Sequence, residues 1–227
     1  MRRLLGTLSL LALLQAFPAV VYAQNQPATQ QPNDPISQVV AAKLMTPYPD
    51  GKFRPEQVIS RADLASILVK TFQLDKRVAA QQRILVQVPD VPTTHWAYND
   101  IQTVLKTGIM KGYRGNLFFP NQKINRAEAF SIIAQAYGVF QFPDQTVQQI
   151  LARYPDSAQL PGWAKKSMAT ALYEGFVNTD QNGNLAPNNP MTRGDMAYAL
   201  SQYLARQQTP ATNLDQDYTP PVSVQAQ

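Results

Sequence analysis

Apolar residues along the middle of the chain repeat at helical spacing in three separate stretches. Leu64, Ala65, Leu68 and Phe72 advance by one, three and four positions, as do Ala129, Phe130, Ile133 and Tyr137, and Met196, Ala197, Leu200 and Leu204. Those steps place each set on one face of an α-helix. Three helices are therefore predicted, opening at Ser60, Asn125 and Thr192. A shorter helix is predicted upstream of each: Ile36 to Met45, a segment through Ile101, Val104 and Leu105 that stops near Gly108, and Trp163 to Tyr173, ending before Gly175. Asp50-Gly51, Arg114-Gly115 and Asn182-Gly183 mark turns between the two helices of each pair. The fold class read from this pattern is mainly α.

The three helix pairs are copies of one unit. Aligned on Pro55, Pro120 and Pro187, the segments Leu44–Phe72, Ile109–Tyr137 and Phe176–Leu204 each carry an arginine six residues after the proline: Arg61, Arg126 and Arg193. Trp96-Ala97 and Trp163-Ala164 precede the second and third prolines by the same distance, each after an aspartate, Asp90 or Asp156. Gln31 stands where the first copy would have its tryptophan, so that copy is partial. The expected boundaries are copy 1 at 34–75, a spacer at 76–87, copy 2 at 88–139, a spacer at 140–153, and copy 3 at 154–206. A single helix pair cannot bury its apolar face, whereas three can by packing their second helices about a shared axis. The expected architecture is a three-fold pseudo-symmetric helical bundle.

The flanks differ in character. Arg2 and Arg3, the apolar run Leu4 to Leu14, and Val21-Tyr22-Ala23 read as an export signal over 1–23; an uncleaved membrane anchor is the alternative. Residues 24–33 and 207–227 are rich in Gln and Pro and are expected to be disordered. No further domain is expected after the last copy. Export would leave an envelope or periplasmic protein, associated with the cell wall or outer membrane.

Composition narrows the chemistry. The 227 residues contain no cysteine and one histidine, which excludes disulfides, thiolate metal sites, a thiol nucleophile and any multi-histidine metal centre. No metal or cofactor is implied. The net charge of +5 loses two arginines with the signal, so the mild basic excess does not indicate nucleic acid as a partner. Asp180-Gln181-Asn182-Gly183-Asn184 lacks the later glycine and glutamate of a calcium loop and reads as a turn. His95 has no accompanying nucleophile and reads as a helix-start hydrogen-bond partner.

Candidate chemistry gathers at the starts of the second helices. Ser60/Asp63, Asn125/Glu128 and Thr192/Asp195 have capping-box spacing. The arginine after each cap is not explained that way, because a cation is unfavourable by about 0.3–1 kcal/mol at an exposed helix N-terminus. A guanidinium beside free N–H groups makes an anion site. Bridging to a neighbouring copy's acid, for instance Asp90 or Asp156, is the other reading. As an exposed N1 residue, the arginine is expected to change stability by less than ~1 kcal/mol on removal. Trp96, Trp163, Tyr48 and Tyr113 flank these positions, either as core or as faces on which a sugar stacks.

The second copy, with Asp90-Val91-Pro92-Thr93-Thr94-His95-Trp96-Ala97, Gly108-Ile109-Met110-Lys111-Gly112-Tyr113, Phe119-Pro120 and Asn125-Arg126-Ala127-Glu128, resembles the S-layer homology family. The lengthened spacers are similar to those of cyanobacterial members. The resemblance implies a spindle with prongs, whose grooves hold a peptidoglycan-linked polysaccharide bearing a pyruvate ketal. It implies ligand contacts at Arg126 and Arg193, with Arg61 in the partial first copy, and groove walls from Trp96, Trp163, Asp90, Asp156 and Tyr113. It departs from the family pattern at Gly194, where alanine is usual, and in the missing front of copy 1, so at least one groove is expected to be non-functional. The function expected is a monomeric, non-catalytic wall anchor. A glycan-acting enzyme, or an accessory subunit of an outer-membrane or envelope complex, is the alternative.

Overall fold

The computed structural model describes residues 34–77, 79–80, 84–138 and 142–208. The expected signal, the Gln/Pro-rich leader and the tail beyond Gln208 lie outside them. Seven α-helices occur among the described residues: α1 Pro35–Ala41, α2 Arg61–Phe72, α3 Tyr98–Lys106, α4 Arg126–Tyr137, α5 Asp144–Leu151, α6 Lys165–Tyr173 and α7 Arg193–Gln208. No strand occurs among them, only the isolated bridges Val58–Thr192, Ser60–Lys123 and Asn125–Pro190. The mainly α class follows. None of these helices is long and apolar enough to cross a membrane.

The second helices α2, α4 and α7 begin where the caps stand. Ser60 Oγ accepts from Asp63 N at 3.2 Å while Ser60 N donates to Asp63 Oδ2 at 2.8 Å. Asn125 pairs with Glu128 in the same way, at 2.8 and 3.3 Å, and Thr192 with Asp195, at 3.1 and 3.0 Å. The first helices of copies 2 and 3 stop at Gly108 and Gly175, both in the left-handed region at φ +72° and +71°. Lys43 takes that conformation in copy 1 (φ +57°), so α1 ends at Ala41, short of the expected Met45.

The copies interlock in a cycle. Each first helix packs on the second helix of the preceding copy: α3 on α2, α6 on α4, and α1 on α7. The starts of the second helices bond the loop of the following copy. Arg61 N and Ala62 N donate to Gln122 O and Pro120 O, Arg126 N and Ala127 N to Asn189 O and Pro187 O, and Arg193 N and Gly194 N to Gln57 O and Pro55 O. Those bonds close a ring of three. They also explain the departure at Gly194: a Cβ there would stand 3.2 Å from both Cβ and O of Pro55. At the far ends of the second helices, Tyr203 packs edge-on against Phe72 (5.1 Å) and Tyr137 (6.2 Å), joining α7 to α2 and α4.

Two segments differ from expectation. The second spacer contains α5, which buries Val147 and Leu151 and packs on α6. Its Gln-rich polar face hid a two-turn amphipathic pattern. At the C-terminus, α7 includes Gln207 and Gln208, because Arg206 Nε and Nη2 donate to the carbonyls of Glu174 and Tyr173 and hold the last turn against α6.

Candidate functional site

The three arginines are not exposed. Arg61 and Arg126 are 5% and 6% accessible, and Arg193 is half-buried. The backbone N–H groups beside them are not free either, since the first two of each helix bond the next copy's loop and the third bonds the cap side chain. The expected anion site of free N–H groups with an exposed cation is therefore corrected. Helix starts that must join neighbouring copies spend their orphan donors on that joint.

Each side chain reaches across to the following copy. Arg61 Nε donates to Phe118 O and Nη2 to Lys111 O, both at 2.8 Å. Arg193 repeats this with Phe53 O (2.9 Å) and Thr46 O (2.7 Å). Arg126 repeats it with Leu185 O (2.8 Å) and Asn178 O. Carbonyls, rather than Asp90 or Asp156, receive the arginines. The two aspartates instead hold the loops that present those carbonyls: Asp90 accepts from Phe118 N (2.9 Å) and Phe119 N (2.6 Å), and Asp156 from Leu185 N (2.8 Å) and Ala186 N (2.7 Å). Phe119 and Ala186 are left-handed at φ +54° and +48°, a conformation a non-glycine residue adopts at a cost and that these bonds sustain.

Two of the three arginines keep one face of the fork unused. No hydrogen bond among the described residues reaches Nη1 of Arg61 or Arg193. Both guanidiniums lie over two aromatic rings, Arg61 over Tyr113 (4.8 Å) and Phe118 (4.6 Å), Arg193 over Tyr48 (4.9 Å) and Phe53 (4.5 Å). Burial pulls the Arg61 guanidinium below the usual arginine pKa, and Glu128 and Asp90 oppose that pull. Stacking restrains each guanidinium plane.

Each of these arginines opens onto a groove assembled from all three copies. In the first, of about 170 Å³, Arg193 of copy 3 and Trp96 of copy 2 face Thr46, Asp63, Ser66 and Lys70 of copy 1. In the second, of about 270 Å³, Arg61 of copy 1 and Trp163 of copy 3 face Lys111, Glu128, Ser131 and Gln135 of copy 2. The members match position for position across the repeat. Trp96 and Trp163 are 64% and 62% exposed, so the core reading for them does not hold. His95 stacks on Trp96 at 5.7 Å, and its Nδ1 accepts from Ala97 N at 3.1 Å, which closes the turn carrying the ring. Tyr113 is 41% exposed at the rim of the second groove.

Arg126 differs. Its Nη1 is 2.7 Å from Asp195 Oδ1 and donates to Asn178 Oδ1 at 3.0 Å, with both side chains of the pair largely buried. Burial pushes the Asp195 carboxyl up, but Arg126, Asn178 and Thr192 outweigh it and hold it below the usual aspartate range. Sequence reasoning ranked Arg126 beside Arg193 because copy 2 has the fullest motif; what occupies the arginine lies in copy 3. It also missed Phe53 and Phe118 as the second ring at each guanidinium, signalled by phenylalanine two residues before the aligned proline in copies 1 and 2 and by Leu185 in copy 3. The Asp180 turn is closed by its own loop, the carboxylate accepting from Asn182 N and Asn184 N. No cluster of three or more metal-ligating side chains occurs among the described residues.

Among known proteins, the chain is 29% identical over 170 residues to a surface-layer 125 kDa protein of Lysinibacillus sphaericus, covering 74% of this chain and 13% of that one. It is 28% identical over 155 residues to a cellulosome-anchoring protein of Acetivibrio thermocellus, 65% of this chain and 32% of that one. It is 24% identical over 165 residues to an amylopullulanase of Thermoanaerobacterium thermosulfurigenes, 72% of this chain and 8% of the enzyme. The chain thus spans a third or less of the length of these relatives. The family model of the S-layer homology domain matches residues 29–65, 89–130 and 153–197, more than half the chain and one match per copy, and the chain belongs to the S-layer homology domain family.

Proposed function

We propose that this chain is a non-catalytic module that anchors to the cell wall by binding an acidic, pyruvate-bearing polysaccharide in the Arg193/Trp96 and Arg61/Trp163 grooves. One observation carries the reading: in both grooves a guanidinium stacked on two aromatic rings, with no hydrogen bond at Nη1, lines the same groove as an exposed indole. The indole offers an apolar face for a sugar ring, and Nη1 offers a charge-assisted hydrogen bond for a carboxylate. The cell-surface and anchoring relatives support the setting, an exported protein of the envelope. The ring of inter-copy bonds supports the three-fold arrangement expected of the repeats. The repeat carboxylates support the absence of catalysis, since Asp63, Glu128 and Asp195 serve in caps and Asp90 and Asp156 in loops, leaving none of these as an acid–base pair.

The test is co-sedimentation with purified sacculi, before and after mild acid removal of pyruvate. Binding is expected to fall at least tenfold on pyruvate removal, and equally with the Trp96→Ala, Trp163→Ala double variant on untreated sacculi. Unchanged binding to stripped sacculi contradicts the acidic-ligand reading.

A further inference from the structure

The Arg126 position has the geometry of the other two arginines with one addition. Its Nε and Nη2 make the same two bonds to the following copy's carbonyls, but Nη1, unused on Arg61 and Arg193, is taken by the carboxylate of Asp195. Asp195 is the counterpart of Asp63 and Glu128, which line the open grooves without pairing to the arginine across from them. The difference lies with Asn178, which stands where those grooves have Thr46 and Lys111. Its Nδ2 donates to Asp195 Oδ1 at 2.8 Å while its Oδ1 accepts from Arg126 Nη1. The amide bridges the pair and turns the free oxygen of the cap acid onto the guanidinium.

Three further replacements act in the same direction. Asp180 and Leu185 occupy the repeat positions of the two stacked rings, Tyr113 and Phe118 in copy 2. Tyr198 fills the position of Ser66 and Ser131, the small side chains that line the open grooves. The chain has two tryptophans, and both wall the other two grooves.

We infer that Asp195 is a built-in substitute for the ligand's carboxylate: it occupies on Arg126 the place a ligand acid takes on Nη1 of Arg61 and Arg193, so the chain has two binding grooves and one sealed joint. The count of two rests on the acidic-glycan reading above; the sealed joint stands on its own geometry. The joint fastens copy 2 to copy 3, and the fully liganded protein holds two sugars whose acids lie against Arg61 and Arg193.

Two measurements test this on the full chain. The first is equilibrium dialysis against the radiolabelled methyl glycoside of a hexosamine carrying a pyruvate ketal. Two moles per mole of chain are expected, one for Trp96→Ala, one for Trp163→Ala and none for the double variant. Three sites in the parent, a single site in the parent, or one site persisting in the double variant overturns the inference. The second is a double-mutant cycle of Arg126→Lys and Asp195→Asn, conservative changes chosen to keep the fold, read by urea unfolding. A coupling of roughly tenfold in the folding constant is expected, as for partners in one buried network; no coupling overturns the sealed joint. Absence of any glycoside binding alongside strong coupling defeats the acidic-glycan reading and supports the joint.

Discussion

Replacing Arg61 by alanine separates a bracing role from a purely peripheral one. The side chain is 5% accessible and gives Phe118 O and Lys111 O their side-chain donors, 57 and 50 residues away in the chain. Its loss leaves a buried and a part-buried carbonyl without those donors, at about 1–3 kcal/mol each, and removes a guanidinium stacked on two rings, about 0.5–2 kcal/mol. Water entering the space recovers part of this, so a net loss of about 3 kcal/mol is expected, against total stabilities of roughly 5–15 kcal/mol. For a domain of this size that corresponds to a fall in Tm of about 6–12 °C. The assay is a thermal melt with a parallel urea titration. Arg61→Lys should recover less than half, because one ammonium cannot span both carbonyls in the fork's geometry. Trp163→Ala, in the same groove but 62% exposed, should shift the melt by no more than about 2 °C. If Arg61→Ala melts within about 2 °C of the parent, the brace is not there and the inter-copy reading of the arginines is wrong.

Asp90→Ala and Asp156→Ala should each cost about 2–4 kcal/mol, since each strips two backbone donors of an acceptor beside a left-handed residue; urea midpoints unchanged from the parent refute this. Glu174 and Asp195 should impose opposite pH dependences. Burial raises the Glu174 carboxyl, with Arg206 and a Tyr137 hydrogen bond opposing, so its folded pKa lies above the unfolded one. The folded state then holds the proton more tightly, and that stability is present below about pH 4 and lost as pH rises through the folded value. Asp195 is lowered, so its contribution is present above about pH 4 and lost as pH falls through the folded value. Glu174→Gln should therefore gain relative to the parent between pH 4 and 7, while Asp195→Asn should gain only toward lower pH; melting curves parallel at all pH values would show that neither carboxyl is perturbed.

Helix starts and the repeat frame were legible because each rests on local spacing, whereas the residues alone left Trp96 and Trp163 open between core and sugar face. Ser60 with Asp63 announces a cap at any burial, and the one-three-four stripes fix the buried face. Exposure of Arg61 was misjudged because the expectation treated a helix start as if it met water. In a closed ring of copies, every second-helix start meets the next copy's loop, and the partners of Arg61 lie at Lys111 and Phe118, beyond any local window. The fate of Arg126 was decided by Asn178 and Asp195, residues that sit in copy 3 at positions where ordinary turn and cap chemistry already accounts for them. Helix α5 was hidden by brevity: Val147, Ile150 and Leu151 give only two turns of pattern, and the packing against α6 completes the argument for a helix.

The chain's two tryptophans, one in each open groove and both exposed, make the central claim directly readable by emission. Titrating the protein with solubilised wall polysaccharide should shift tryptophan emission to shorter wavelength in two-site fashion, as each indole loses water to a sugar face, with Trp96→Ala and Trp163→Ala each retaining half the change. The same polysaccharide stripped of pyruvate should leave the spectrum unaltered. Emission that stays fixed while the protein still sediments with intact sacculi would mean that the wall is held elsewhere on the molecule, and that the two grooves are not the binding sites.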